Sequence, residues 1–280
     1  MDFGPGVEAG EVVVGDLKIA YVCRPASDKT LLFIHGNSGS KAAFYQQFAG
    51  FANTEYTLIA LDLPGHGGSS NSHHPEQYYN FPALALLVKR FCDALNVKSP
   101  VVVGWSLGGH VVLEMAGRGF ALAGAMICGT PPITTGMDDF NAAFLPSEAM
   151  AVTLNPAPTS AELTTYIQGL YGSLTPVPTQ FHQDAARMDG AVRAHIGAHW
   201  GTGEQGCDQK TVAAGWHKPL AVVHGDADAF VSKDYLTSIT WRSLWRDQIQ
   251  FLPGVGHAPF LEAPVVFNEL LNSFAADVLR

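Results

Sequence analysis

Residues 101–110 read VVVGWSLGGH. The valine run is typical of a buried strand in a parallel sheet. The G-x-S-x-G pattern that follows, from Gly104 to Gly108, predicts a sharp turn from that strand into a helix, with the hydroxyl of Ser106 exposed on the turn. The stretch has two interpretations: a tight turn with an incidental serine, or a turn that presents a nucleophile beside the amide-rich start of a helix.

Short apolar runs alternate with helical spacing on both sides of this turn, which predicts an α/β fold with a mostly parallel, eight-stranded sheet and helices on both faces. An opening hairpin is expected at 11–14 and 18–23, around the Gly15-Asp16 turn. The other predicted strands lie at 30–34, 57–61, 101–103, 123–128, 220–223 and 249–252. Helices are predicted at 41–51, 81–95, 107–118 and 264–279.

The alternation stops in residues 131–216, a segment with several prolines and no convincing buried strand. Amphipathic patterns at 161–171 and 179–195 predict helices within it. We therefore expect residues 1–130 and 217–280 to form the core of one large domain, with residues 131–216 inserted as a helical cap. We call residues 131–216 the cap segment.

Two further candidate catalytic residues follow predicted strands, as Ser106 does. Asp228 lies in HGDAD at 224–228, where Asp226 is a rival for the same role, and His257 lies in GVGHAP at 254–259. The carboxyl ends of parallel strands share one edge of a sheet, so the three side chains are expected to meet there. Serine, aspartate and histidine in that chain order predict a nucleophile, an orienting acid and a proton shuttle.

An oxyanion site needs two amide donors. The residue after the serine, Leu107, would supply one N–H group. The glycine-containing loop HGNSG at 35–39 would supply the other, from Asn37, while His35 is expected to pack under the loop.

The net charge and the residue content of the chain argue against several classes of binding partner. With a formal net charge of −9, the 280-residue chain is not expected to bind nucleic acid or an anionic membrane. Its start has neither the basic flank nor the apolar run of a signal peptide, so a cytoplasmic protein is expected. No cofactor and no metal are expected: His195 and His199 are one pair only, and the glycines at 65, 67 and 68 complete no nucleotide-binding motif.

The chain resembles the α/β-hydrolase superfamily through HGNSGS at 35–40, DLPGHGGS at 62–69, GWSLGGH, HGDAD and GVGHAPFLEAP at 254–264. Within it, the chain is most similar to the AidH-type N-acylhomoserine lactonases, through GWSLGGH, ICGTPP at 127–132, WGTGEQG at 200–206 and GHAPFLEAP. The resemblance implies hydrolysis of a neutral acylated lactone by an acyl-enzyme route under a helical cap. It also implies substrate contact by Tyr166.

Several alternatives remain open at this point. A general carboxylesterase acting on linear acyl esters would use the same three residues, and a ligand-binding module on the same fold would keep them without turnover. The sequence is compatible with a monomer or a homodimer. Some large aromatic residues could line an acyl pocket or simply pack in the core: Phe44, Trp200, Trp216, Trp241 and Trp245.

Overall fold

The computed structural model describes residues 1–134, 136–199 and 206–280, apart from the side chain of His199. Within this part of the chain, eight strands form a single sheet in the order β1-β2-β4-β3-β5-β6-β7-β8. The strands are β1 Glu8–Val14, β2 Leu17–Arg24, β3 Thr30–Ile34, β4 Thr57–Leu61, β5 Val101–Trp105, β6 Gly124–Cys128, β7 Leu220–Gly225 and β8 Gln250–Leu252.

The sheet is mostly parallel, as predicted. Only the opening hairpin departs from this: β1 pairs antiparallel with β2, and β2 pairs antiparallel with β4. The remaining neighbours, from β4 through β3 to β8, are parallel. Every residue of β3, β5, β6 and β7 is buried, which explains why these strands have continuous apolar runs and no alternation.

Thirteen α-helices occur in the described residues. They are α1 Tyr45–Gly50, α2 Pro75–Tyr78, α3 Phe81–Ala94, α4 Leu107–Gly117, α5 Met137–Ala143, α6 Glu148–Val152, α7 Ser160–Tyr171, α8 Thr179–Arg187, α9 Gly190–His199, α10 Gln209–Gly215, α11 Lys233–Ser238, α12 Pro259–Glu262 and α13 Pro264–Val278. Helix α3 packs on α4, and α1 packs on α13, so that two groups of helices cover the sheet. None of the described helices combines the length and apolar character needed to cross a membrane.

Two predicted helices differ from the structure. The segment predicted at 41–51 begins as a 3₁₀ turn at Lys41–Phe44 and continues as α1. The helix predicted at 179–195 is wrong as one element, because the chain is extended at Met188 and restarts as α9. Hydrogen bonds outside the helix account for the break: Asp189 donates its N–H to Gly65 O (2.8 Å) and accepts from the Tyr79 hydroxyl (2.8 Å).

Helices α5 to α10 lie between β6 and β7, within the predicted cap segment, and no described residue of that segment joins the eight-stranded sheet. Helix α7 begins at a capping box, in which the Thr159 hydroxyl accepts from Glu162 N–H and the Glu162 carboxylate accepts from Thr159 N–H. Helices α6, α7 and α8 pack side by side. These helices are formed by the part of the sequence in which the alternation of strands and helices stops.

Candidate active site

The three predicted chemical residues follow three strands of the sheet at its carboxyl edge. Ser106 follows β5, Asp228 lies three residues beyond β7, and His257 lies five residues beyond β8. Since β5 to β8 are parallel neighbours, their ends place these residues around one site. Ser106 and His257 line the same cavity, and Asp228 contacts His257 from behind.

The backbone at Ser106 has φ 52° and ψ −117°, a conformation that a residue with a side chain rarely adopts. Strand β6 and the loop after it hold this conformation: Ser106 N–H donates to Cys128 O (2.9 Å), and the Thr130 hydroxyl donates to Ser106 O (3.0 Å). A strained residue that its surroundings hold in place is typical of functional sites. The turn is therefore built to keep the Ser106 side chain at the edge of the cavity.

Two glycines are required by this turn. A Cβ atom on Gly104 would lie 2.6 Å from Gly108 O, and one on Gly108 would lie 2.1 Å from Ile34 O. Both neighbours are backbone atoms that have little freedom to move. The sequence G-x-S-x-G is thus explained by the close approach of α4 to β3 and β5 around the serine.

His257 and Asp228 form a buried pair. The two ring nitrogens of His257 differ in role, since Nδ1 lies 2.8 Å from Asp228 Oδ2. An ionised carboxylate can only accept a hydrogen bond, so Nδ1 carries the proton and donates it. The other nitrogen, Nε2, is then left as an acceptor, which is the state that a general base needs.

Asp228 is fixed from two sides. Its second oxygen, Oδ1, accepts from the N–H groups of Phe230 (2.7 Å) and Val231 (3.2 Å). Burial alone would raise the pKa of the Asp228 carboxyl, but the charge of His257 and its hydrogen bond, helped by the Phe230 N–H, hold that pKa below its ordinary value. The rival Asp226 is exposed, and its carboxylate accepts from Gly254 N–H (2.7 Å) across a surface turn.

A second histidine, which the sequence did not single out, also faces Asp228. His224 in β7 is buried, and its Nδ1 lies 3.7 Å from the same oxygen that accepts from His257. Burial lowers the pKa of the His224 ring. The shorter contact of that Asp228 oxygen is the hydrogen bond that it accepts from His257 Nδ1 (2.8 Å).

The loop at 35–39 runs beside the serine, and its structure depends on the cap segment. The Tyr166 hydroxyl donates to Asn37 O (3.4 Å), and Asn37 Nδ2 donates to Thr153 O (3.0 Å). His35 packs under the loop as predicted, fully buried, with its Nε2 accepting from Leu63 N–H (3.0 Å). Leu107 is the first residue of α4, so its N–H has no carbonyl partner within the helix.

The cavity over Ser106 is mostly apolar. Both core and cap residues line it: Asn37, Ser106, Leu107, Phe140, Phe144, Met150, Thr153, Leu154, Tyr166, Leu170, Phe230 and His257. Tyr166 is 1% exposed, and burial raises the pKa of its phenol. No lysine, arginine, aspartate or glutamate is among the lining residues found in the described chain.

Four of the aromatic residues that could line an acyl pocket are not among the lining residues of this cavity: Phe44, Trp216, Trp241 and Trp245. Trp245 packs on Phe274 and donates to Asp277, and the indole of Trp241 donates to Leu236 O (3.3 Å). Phe44 packs in the core beside Phe33 and Phe260, and Trp216 packs against the edge of that core. Trp200 and the rest of the segment at 200–205 lie outside the described residues.

His110, one turn after the serine in α4, has a structural setting. It is buried, its Nδ1 lies 2.8 Å from Gln209 Oε1, and burial lowers its pKa to about 4. The described residues contain no group of three histidine, cysteine or acidic side chains arranged to hold a metal ion.

The sequence profile of the alpha/beta hydrolase family matches residues 31–270, which is most of the chain. The protein belongs to the alpha/beta hydrolase family. The strand order described above is therefore that of a fold shared with other members of the family.

Among solved structures, this alpha/beta hydrolase is similar to that of N-acyl homoserine lactonase AidH complexed with N-butanoyl homoserine. The two chains share 31% sequence identity with a TM-score of 0.92, over 97% of each chain. An AidH variant complexed with N-hexanoyl homoserine matches equally well. An esterase from Rhodococcus sp. ECU1013 has a TM-score of 0.77 at 22% identity over 98% of this chain and 99% of its own, which shows the shared fold only.

Curated relatives match over a shorter stretch. The acetyltransferase component of the acetoin cleaving system of Cupriavidus necator is 34% identical over 103 residues, which is 37% of this chain and 26% of that protein. The magnesium-chelatase 30 kDa subunit of Rhodobacter capsulatus is 33% identical over 92 residues, or 33% of this chain and 31% of that one. The chain thus spans about a third or less of the length of these two relatives.

Proposed function

We propose that this hydrolase opens the lactone ring of N-acyl homoserine lactones, with Ser106 as nucleophile, His257 as general base and acid, and Asp228 as the orienting acid. The observation that carries the proposal is the buried His257–Asp228 pair beside the strained Ser106, at the base of an apolar cavity. The 31% identity with an N-acyl homoserine lactonase over 97% of the chain supports the choice of substrate.

The proposed reaction begins with attack on the ring carbonyl. His257 Nε2 takes the proton of the Ser106 hydroxyl as the oxygen bonds to the carbonyl carbon. The N–H groups of Asn37 and Leu107 stabilise the negative charge that develops on the carbonyl oxygen. The ring C–O bond then breaks, and His257 returns the proton to the leaving alkoxide, which becomes the hydroxyl of an open-chain acyl-enzyme.

Hydrolysis of that ester completes the cycle. His257 takes a proton from water, the hydroxide attacks the acyl carbon, and the proton is given to Ser106 as the acyl–oxygen bond breaks. The product is an N-acyl homoserine, with a free hydroxyl and a carboxylate. No lysine or arginine of the described chain lines the cavity to pair with that carboxylate.

The cavity also suggests where the acyl chain lies. Phe140, Phe144, Met150 and Leu154 line both the cavity and an adjoining open apolar groove between α5 and α6. We assign the acyl chain to this groove and the lactone ring to the end of the cavity near Ser106. Tyr166 lies at that end, with its hydroxyl at Asn37 O, and we propose that it contacts the substrate. In this arrangement residues 1–130 and 217–280 supply catalysis and residues 131–216 supply the cap.

The test compares wild-type protein with Ser106→Ala on N-acyl homoserine lactones and on p-nitrophenyl esters. We expect lactone opening by the wild type and a loss of several orders of magnitude in the variant. Strong turnover of esters with inert lactones would instead identify a general carboxylesterase. Binding of lactones without any turnover, together with no labelling of Ser106 by a fluorophosphonate, would identify a ligand-binding module.

A further inference from the structure

Arg193 in α9 is a buried cation without a counter-ion. Its side chain is 2% exposed, and Nη2 donates to the Ser38 hydroxyl (2.7 Å) and to Ala185 O (3.3 Å). Across residues 1–134, 136–199 and 206–280, no carboxylate lies within 4 Å of its guanidinium, and Nε has no hydrogen-bond partner. Burying an unpaired charge is unfavourable, so its presence requires a reason beyond packing.

The hydrogen bonds of Arg193 lead to the loop beside the nucleophile. Ser38 has a left-handed backbone, with φ 62°, which a serine adopts only when its surroundings favour it. Its hydroxyl accepts from Arg193 and donates to Asn37 Oδ1 (3.0 Å), and Asn37 Nδ2 donates in turn to Thr153 O. A chain of side-chain hydrogen bonds thus runs from α9 to Asn37 and returns to the cap segment.

The charge of Arg193 also acts on the cavity wall. Burial raises the pKa of the Tyr166 phenol, and the nearby Arg193 charge works in the opposite direction. The guanidinium therefore favours negative charge on groups at this end of the cavity. A carboxylate beside Arg193 would cancel that effect and would itself repel an oxyanion.

We propose that Arg193 is a positioning residue for the oxyanion site, which acts through Ser38 to hold the Asn37 backbone with its N–H directed at the carbonyl oxygen of the substrate. The hole is then complete only when the cap segment is docked on the core. This inference rests on the proposed hydrolase function, since it assigns a role in stabilising the charge that Ser106 attack creates. Because the effect grows as the oxyanion forms, it should be seen in kcat and not in ground-state binding.

Three variants test the role of the side chain. Arg193→Met removes the donor and the charge, and we expect kcat to fall by about 10²-fold with KM changed less than about threefold. Arg193→Lys keeps the charge and one donor, and should recover to within about tenfold of wild type. The matched control is Arg187→Met: Arg187 also joins the cap segment to the rest of the chain, through Ser69 O (2.5 Å), but it is exposed and does not bond to Ser38 as Arg193 does. It should retain wild-type kcat.

An inhibitor comparison separates positioning from folding. An alkyl boronic acid forms a tetrahedral, negatively charged adduct on a nucleophilic serine, whereas an N-acyl homoserine lactam resembles the uncharged substrate. In Arg193→Met we expect boronate affinity to fall by the same factor as kcat/KM, with lactam affinity unchanged. If both affinities fall together, or if kcat stays within threefold of wild type, the inference is wrong.

A double-mutant cycle tests the path through Ser38. Ser38→Ala removes the hydroxyl that joins Arg193 to Asn37 while keeping Arg193, and it replaces Arg193→Met as the test if that variant does not fold. The two substitutions should cost about as much together as either does alone, because they break one chain of hydrogen bonds. Independent, multiplicative losses would contradict that path. A wild-type protein that turns over neither lactones nor esters would overturn the proposed function, whereas an active wild type with unchanged kcat in Arg193→Met would overturn only the role of Arg193.

Discussion

Asp228→Asn is expected to reverse the tautomer of His257. In the wild type, Asp228 Oδ1 accepts from two backbone N–H groups, those of Phe230 and Val231, and Oδ2 accepts from His257 Nδ1. In an asparagine the oxygen would take the position that faces the two N–H groups, because an NH₂ group there would oppose two donors. The NH₂ group would then face His257 Nδ1, which would have to accept, so that Nε2 would carry the proton.

A histidine in that tautomer cannot take the proton of Ser106. We expect kcat to fall by about 10⁴-fold, the effect that the wrong tautomer has in serine proteases, which corresponds to about 5 kcal/mol of transition-state stabilisation. Folding should be preserved, since the backbone hydrogen bonds to the side-chain oxygen remain. Lactone opening is followed in a pH-stat, with thermal unfolding as the check on structure.

Asp226→Asn is the matched control, two residues away on the same turn. Its side chain is exposed and accepts from Gly254 N–H, so this variant should stay within about threefold of wild-type kcat. The reasoning is refuted if Asp228→Asn keeps more than a tenth of wild-type activity, or if Asp226→Asn loses as much as Asp228→Asn does.

Three further outcomes are expected. Gly108→Ala should lower the free energy of unfolding by about 3 kcal/mol in urea denaturation, because its Cβ would lie 2.1 Å from Ile34 O; an unchanged midpoint would contradict the tight turn. Burial lowers the pKa of His110 from 6.5 to about 4, so as the pH falls the unfolded state binds a proton on this ring before the folded state does. The free energy of unfolding should therefore drop by about 3 kcal/mol between pH 6.5 and 4, and by less in His110→Asn. Met150→Trp, which fills the groove, should slow opening of a dodecanoyl lactone by at least about tenfold and leave a butanoyl lactone nearly unaffected; equal losses on both would place the acyl chain elsewhere.

The sheet was predictable because its signal is local. Buried parallel strands are continuous apolar runs, and each of the eight expected strands is found within a few residues of its predicted position. The candidate catalytic residues could also be predicted, because Ser106, Asp228 and His257 each follow such a run. The sequence alone could not settle the choice between Asp226 and Asp228, because the burial of each side chain and its contact with His257 depend on how the turn folds.

The cap segment was harder to predict, for a physical reason. Its helices are short and bounded by tertiary contacts, such as the hydrogen bond from Asp189 to Gly65 that ends α8. Cavity residues such as Phe230 and Leu154, and the buried Arg193, come together from distant parts of the chain, with no spacing that would mark them. The second imidazole beside Asp228 belongs to His224, and its position four residues before Asp228 was the one feature of the sequence that could have indicated this contact.

The central claim, that Ser106 attacks the lactone carbonyl, is tested most directly by trapping the acyl-enzyme. A lactone keeps its leaving group on the same molecule, so the adduct should carry the full mass of the lactone. Wild-type protein is mixed with an N-acyl homoserine lactone, quenched in acid within milliseconds, digested and analysed by mass spectrometry. We predict that mass on the peptide containing Ser106 and its absence in Ser106→Ala; turnover without an adduct on Ser106, or an adduct on another residue, would contradict the account.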